Sequence, residues 1–124
     1  MAAPNIVNVS TITAKTTGAN ISTTSATSVV SNAASSGKVL KVNVLNVSNT
    51  STTASADITI NYYTGAGATG IPYPIVSSVT VPAKTTLTVI DKGTQYYLEE
   101  NTSVGAVASV ANVFVVTASY EEIS

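Results

Sequence analysis

Histidine, cysteine, arginine and tryptophan are all missing from this 124-residue chain, and its whole basic complement is five lysines. Each absence removes a function class. Without histidine there is no side chain that ordinarily titrates near neutral pH to act as a general base. Without cysteine there is no thiolate nucleophile, no disulfide staple and no cysteine-type zinc site. Without arginine there is no guanidinium fork for phosphate. No catalytic residue, no cofactor site and no metal site is therefore expected. Charge is scarce too. Charged residues make up 9% of the chain, against about 25% in an ordinary soluble protein, and the net charge is −1. No basic stripe exists to release counterions from nucleic acid. No apolar run approaches the roughly 20 residues that span a bilayer. The opening MAAPNIVNV lacks the basic-then-apolar order of a secretory signal. The expectation is a soluble chain made in the cytoplasm, with neither nucleic acid nor membrane as partner.

What remains is mostly serine, threonine, valine, alanine and asparagine in short alternating runs. Ile58, Ile60 and Tyr62 alternate with Asp57, Thr59 and Asn61, the period of a half-buried antiparallel strand. Leu40, Val42 and Val44 do the same, after which the apolar phase slips to Leu45 and Val47. Such a slip marks a β-bulge or a strand covered on both faces. Val79 and Val81 are separated from Leu87 and Val89 by Pro82-Ala83-Lys84, which reads as a hairpin corner. Val104, Ala106, Ala108 and Val110 form one inward row, and Phe114, Val116, Ala118 and Tyr120 another, joined at Ala111-Asn112. Good helix formers are scarce.

About eight strands are predicted, near residues 5–14, 26–33, 38–48, 56–63, 74–81, 85–91, 95–109 (broken) and 113–122. They imply one all-β domain over 1–124, a single antiparallel β-sandwich of jelly-roll type. Residues 1–12 are a candidate extended N-terminal arm. Two stretches are loose in composition. Thr16 to Gly37 reads as an arm or weak edge strand, and Asn49 to Ala56 as a hairpin loop. The core list is Leu40, Val42, Ile58, Ile60, Val79, Leu87, Val89, Leu98, Val104, Phe114 and Val116.

The acids are Asp57, Asp91, Glu99, Glu100, Glu121 and Glu122. A glycosidase holds two carboxyl groups across a cleft, but Glu99-Glu100 and Glu121-Glu122 are chain neighbours, which a strand points to opposite faces. Solvated charge at strand ends is the simpler reading. Oxygen donors at Asp91, Glu99, Glu100 and Asn101 lack calcium-loop spacing. Five Asn-x-Ser/Thr triplets begin at Asn8, Asn20, Asn46, Asn49 and Asn101; so much serine and threonine yields roughly three by chance, and with no secretory signal expected they read as accidental. Gly65 to Gly70 has no lysine and leads into no helix, so it reads as a hairpin loop rather than a phosphate cradle.

Tyrosine is the main aromatic resource. Tyr62-Tyr63 and Tyr96-Tyr97 are adjacent pairs, so one ring of each pair is expected in the core and the other at solvent or a partner. Tyr73, in Ile71-Pro72-Tyr73-Pro74, sits on stiffened backbone at a rigid loop or strand entry. Candidate interface residues are Tyr63, Tyr73 and Tyr97, together with Pro4, Ile6, Val7 and Val9. The last four belong to the uncharged stretch Ala2 to Val9, which can complete an exposed sheet edge on a neighbour. Equally, it can pair within its own sandwich as the first strand.

Several phrases carry a resemblance: MAAPNIVNVSTITAKT, SGKVLKVNVLNVSN followed by ADITINYY, VPAKTTLTVIDKGTQYYLEENTSV, and the closing ASYEEI. Together they resemble small virion proteins of tailed bacteriophages, especially those infecting marine cyanobacteria. The resemblance spans most of the chain, least of all Thr16–Gly37, and carries over no functional residues. It implies a non-enzymatic virion protein present in many copies, whose partners are other virion proteins and copies of itself. Three functions follow as expectations: a capsid decoration (cement) protein on the head lattice, a tail, neck or fibre-associated protein, and a carbohydrate-binding surface module using exposed tyrosines.

Overall fold

The computed structural model of the chain describes residues 9–124. Pro4, Ile6, Val7 and most of the candidate arm lie outside the described residues. Nine strands follow in order: β1 (Ile12–Ile21), β2 (Thr27–Asn32), β3 (Val39–Asn49), β4 (Ala56–Gly65), β5 (Thr69–Val81), β6 (Thr86–Ile90), β7 (Tyr96–Leu98), β8 (Thr102–Ala108) and β9 (Phe114–Ile123). One sheet runs β1-β9-β3-β6, with β7 also pairing β3, and the other runs β2-β8-β4-β5. All pairings are antiparallel. With β7 set aside as an insertion, the two four-strand orders are those of a jelly roll, two Greek keys folded face to face. The broken run 95–109 is β7 and β8, which makes nine strands of about eight.

Alternation decides which rows meet. Phe114, Val116 and Ala118 of β9 face Ile58 and Ile60 of β4 and Val104, Ala106 and Ala108 of β8 across an apolar core that also holds Ile21, Leu45, Val47, Val81 and Ile90. The slip between Val42 and Leu45 is a bulge, because the β3–β9 register shifts between Val42 and Val44. The extra residue returns Leu45 and Val47 to the inner face and drops Val44 to partial exposure.

Other expectations need correction. The first described strand runs past residue 14 to Ile21, so the stretch from Thr16, read as an arm or weak edge strand, completes the edge strand β1; residues 5–8 of the predicted strand lie outside the described residues. Pro82-Ala83-Lys84 and the 50–55 segment are not hairpins, since each carries the chain from one sheet to the other. Composition marks a turn but cannot say whether the next strand returns beside the last or crosses the sandwich. Val79, Leu87 and Val89 are only half-buried, because β5 and β6 are edge strands with no neighbour beyond them among the described residues. Val110 is 46% exposed, having already left β8 for the crossing to β9.

Two buried asparagines hold these crossings. Asn32 closes β2 and donates from Nδ2 to the carbonyl oxygens of Lys38 (2.8 Å) and Leu98 (3.0 Å). Asn49 closes β3 and donates to those of Ala54 and Val81, both at 2.9 Å, while its Oδ1 accepts from the Ser51 amide at 2.9 Å. Where strands stop, carbonyls lose their ladder partners, and an amide side chain supplies the missing donors.

Candidate functional site

Sheet edges are where such a fold can meet another chain, and the four edges here are not alike. β5 carries Pro72 and Pro74, three register irregularities against β4, and a left-handed residue, Ser78 (φ 49°). Prolines and bulges keep an edge from templating a foreign strand. The sequence IPYP therefore sits inside an edge strand rather than at its entry. β2 is six residues long and bulged between Ser28 and Val30. The far edge of β3 is covered by the short strands β6 and β7.

β1 has none of these guards. It pairs β9 over ten unbroken positions, Ile12↔Ile123 to Ile21↔Phe114, and has no second neighbour among the described residues. That is about 34 Å of strand at ~3.4 Å per residue. Residues 12–16 are exposed on both faces, and Ile12 is 56% exposed. The only charge on the strand is Lys15, and it is engaged. Its Nζ lies 3.1 Å from Glu122 Oε1, the oxygen that Lys38 Nζ also approaches at 3.3 Å. Burial pushes the Glu122 carboxyl up, but the hydrogen bonds and charges of the two lysines outweigh it and leave it below its ordinary value. The same hydrogen bond and charge hold the Lys15 ammonium above its ordinary value.

The N-terminal chain enters at this corner. The amides of Ser10 and Thr11 donate to the Ser124 carbonyl at 2.7 and 2.9 Å, and the Ser124 amide donates back to Thr11. Ser10 to Ile12 therefore belong to the sandwich edge, so a free arm can extend no further than Val9, which is partly exposed and outside any strand.

The tyrosines divide differently from expectation. Tyr63, read as an interface candidate, is 5% exposed. It lies on the outer face of its sheet, but the β4–β5 hairpin tip folds back over it. Ala66, Gly67 and Ala68 donate their amides to Asn101 Oδ1, Ser31 Oγ and Ser103 Oγ. Gly105 leaves room for that cover: a Cβ there would stand 2.8 Å from the Thr27 carbonyl oxygen and 3.0 Å from both Ala68 Cβ and Tyr63 Cε2. The Tyr63 hydroxyl accepts from Asn61 Nδ2 at 3.2 Å. Tyr73 and Tyr97 are exposed as expected, at 53% and 48%. Tyr96 is exposed as well, because a three-residue edge strand has no opposing sheet to receive its ring.

Tyr73 and Tyr97 come together with Tyr62, Tyr96, Pro74 and Ile75 around a groove of about 310 Å³ at the open mouth between the two sheets. Tyr62 and Tyr73 are cross-strand partners with ring centroids 6.5 Å apart, tilted by 32°. A second groove, of about 330 Å³, is lined by Lys41, Asn43, Val44, Lys92, Gln95 and Glu121. Lys41 of the second groove and Tyr97 of the first are cross-strand partners on β3 and β7. Sequence reading missed this second groove because its residues come from β3, β9 and the β6–β7 turn. Tyr96-Tyr97 was the available signal for the first.

The two aspartates serve local structure. Asp91 Oδ1 accepts from the Gly93 amide and Thr94 Oγ1 within its own turn, and Asp57 Oδ1 accepts from Thr80 Oγ1. Asp91, Glu99 and Glu100 do not converge into a metal-ligating group among the described residues.

By strand order and packing the chain is a jelly-roll β-sandwich with one unguarded edge. In fold it is similar to a chain from Bacillus endospore appendages, described as a family of disulfide-linked pili, with a TM-score of 0.54 and 14% sequence identity over 92% of this chain and 88% of that one. No protein-family model matches the sequence, and no curated protein matches it. The likeness is one of fold. Disulfide linkage has no counterpart here, since the chain has no cysteine.

Proposed function

We propose that this protein is a non-enzymatic structural subunit of a tailed-phage virion that acts by self-assembly, most simply as a decoration protein covering the head lattice. The observation that carries the assembly reading is the β1 edge: ten residues, unbulged, without proline and without an unpaired charge. An edge in that state costs solubility unless another strand occupies it. The proposed occupant is the uncharged Ala2–Val9 segment of a second copy, which would add backbone hydrogen bonds along the β1 edge and set its alternate side chains beside those of β1 on the two faces of the sheet. The resemblance to phage virion proteins supports the virion as location.

Segment-on-edge contacts are heterologous: they join two different surfaces, so they close into rings or continue as filaments. Rings suit a decoration cap. Filaments suit a tail, neck or fibre component, a second reading favoured by the fold shared with a pilus subunit. Gel densitometry of purified particles discriminates them. Decoration requires copies on the scale of the capsid lattice, and a tail or neck component far fewer. Absence of the chain from particles would remove the virion reading altogether.

A further inference from the structure

The first groove lies on the β7 side of the β9–β3 pair, away from β1, while the second reaches across β3 to Glu121 of β9, the cross-strand partner of Ala14 on β1. They combine two chemistries. The first presents four tyrosine rings and one proline on strands, so ring orientations are fixed by backbone pairing rather than by a loop. The second presents the ammonium groups of Lys41 and Lys92, the carboxylate of Glu121, and amides. Among the described residues none of the three charges lies within ion-pair distance of another. Gln95 Nε2 donates to Asn43 Oδ1 at 2.9 Å, which fixes both amides and leaves the Gln95 oxygen outside that bond.

We propose that these grooves form a binding site for a neutral pyranose oligosaccharide. A sugar ring has an apolar C–H face and a rim of hydroxyls that both donate and accept. The tyrosine groove offers flat apolar faces with hydroxyl tips. The neighbouring groove offers unpaired donors and acceptors of both signs, which an anionic or cationic ligand would match only in part. Each groove is at the small end of the roughly 300–1,000 Å³ range of ligand sites, and the Lys41–Tyr97 pair relates the two, so a chain of sugars can engage both. The site does not depend on the assembly reading. If copies do assemble through β1, each still displays its tyrosine groove, and weak single-site binding becomes avid through multivalency.

The chain has no tryptophan, so its ultraviolet emission comes from its six tyrosines, four of which line the first groove. The test titrates the full chain with three soluble probes: the hexasaccharides of β-1,4-glucose, α-1,4-glucose and β-1,4-N-acetylglucosamine. The expected result is a saturable change in tyrosine emission with at least one of them. Tyr73→Ala/Tyr97→Ala should weaken that binding by about tenfold or more, and Lys92→Ala/Gln95→Ala by less. These side chains are exposed, so the variants should fold, which circular dichroism checks. No saturable response to any probe would overturn the proposal, as would binding unchanged in the double tyrosine variant. So would loss of self-association in that variant without saccharide binding, which would assign the groove to a second copy.

Discussion

At the scale of single residues, the fold depends on a few side chains whose type is dictated by where strands end. Asn49 makes three of its four available hydrogen bonds at 2% exposure. Asn49→Ala strands two carbonyl oxygens and an amide, at a cost of about 1–3 kcal/mol, read as a lower urea midpoint. Phe114, 1% exposed at the core centre, should cost about 3–5 kcal/mol as Phe114→Ala; a loss under about 1 kcal/mol would mean that the ring is not a core ring. Glu122 links β1 to the chain entering β3 through Lys15 and Lys38. Its carboxyl titrates below its ordinary value of 4.5 in the folded state, so its contribution is complete above 4.5 and fades as pH falls through that lower value. Lys15, raised above 10.5, contributes fully below 10.5 and loses its contribution as pH rises through the higher value. Glu122→Gln should therefore lower Tm between those limits and flatten both the acid and alkaline limbs of its pH profile. An unchanged profile would show that the pair is fully screened.

At the scale of elements, strand existence was legible because period-two alternation is a local property. Ile58/Ile60 and Phe114/Val116/Ala118 fell on the inner face as expected, and the slip after Val42 identified a real bulge. What alternation could not supply was the neighbour of each strand. Val79, Leu87 and Val89 alternate like core residues but lie on edges. Tyr63 alternates outward yet is buried, because the β4–β5 hairpin tip folds over it, held by Ser31, Asn101 and Ser103 from distant parts of the chain. Edge position also separates β1 from β5 in behaviour. Deleting residues 2–9 should leave a cooperatively unfolding domain, since Ser10 and Thr11 already complete the β1 corner with Ser124. Loss of folding on that deletion would place the segment within its own sandwich.

At the scale of the whole molecule, the low charge and the single unguarded edge belong together. A net charge of −1 gives little repulsion between copies, and a bare β1 gives them a place to pair. The central claim is that the N-terminal segment of one copy occupies the β1 edge of the next. Two variants divide that contact into halves. Removal of residues 2–9 leaves an edge without a segment, and Ala14→Lys/Thr16→Lys leaves a segment but guards the edge with charge. Sedimentation velocity of each alone and of their equimolar mixture is the most direct test. The account predicts that the unmodified chain associates, that each variant alone is monomeric, and that the mixture forms a heterodimer and nothing larger. Association of either variant to the extent of the unmodified chain, or a mixture that stays monomeric, would contradict it.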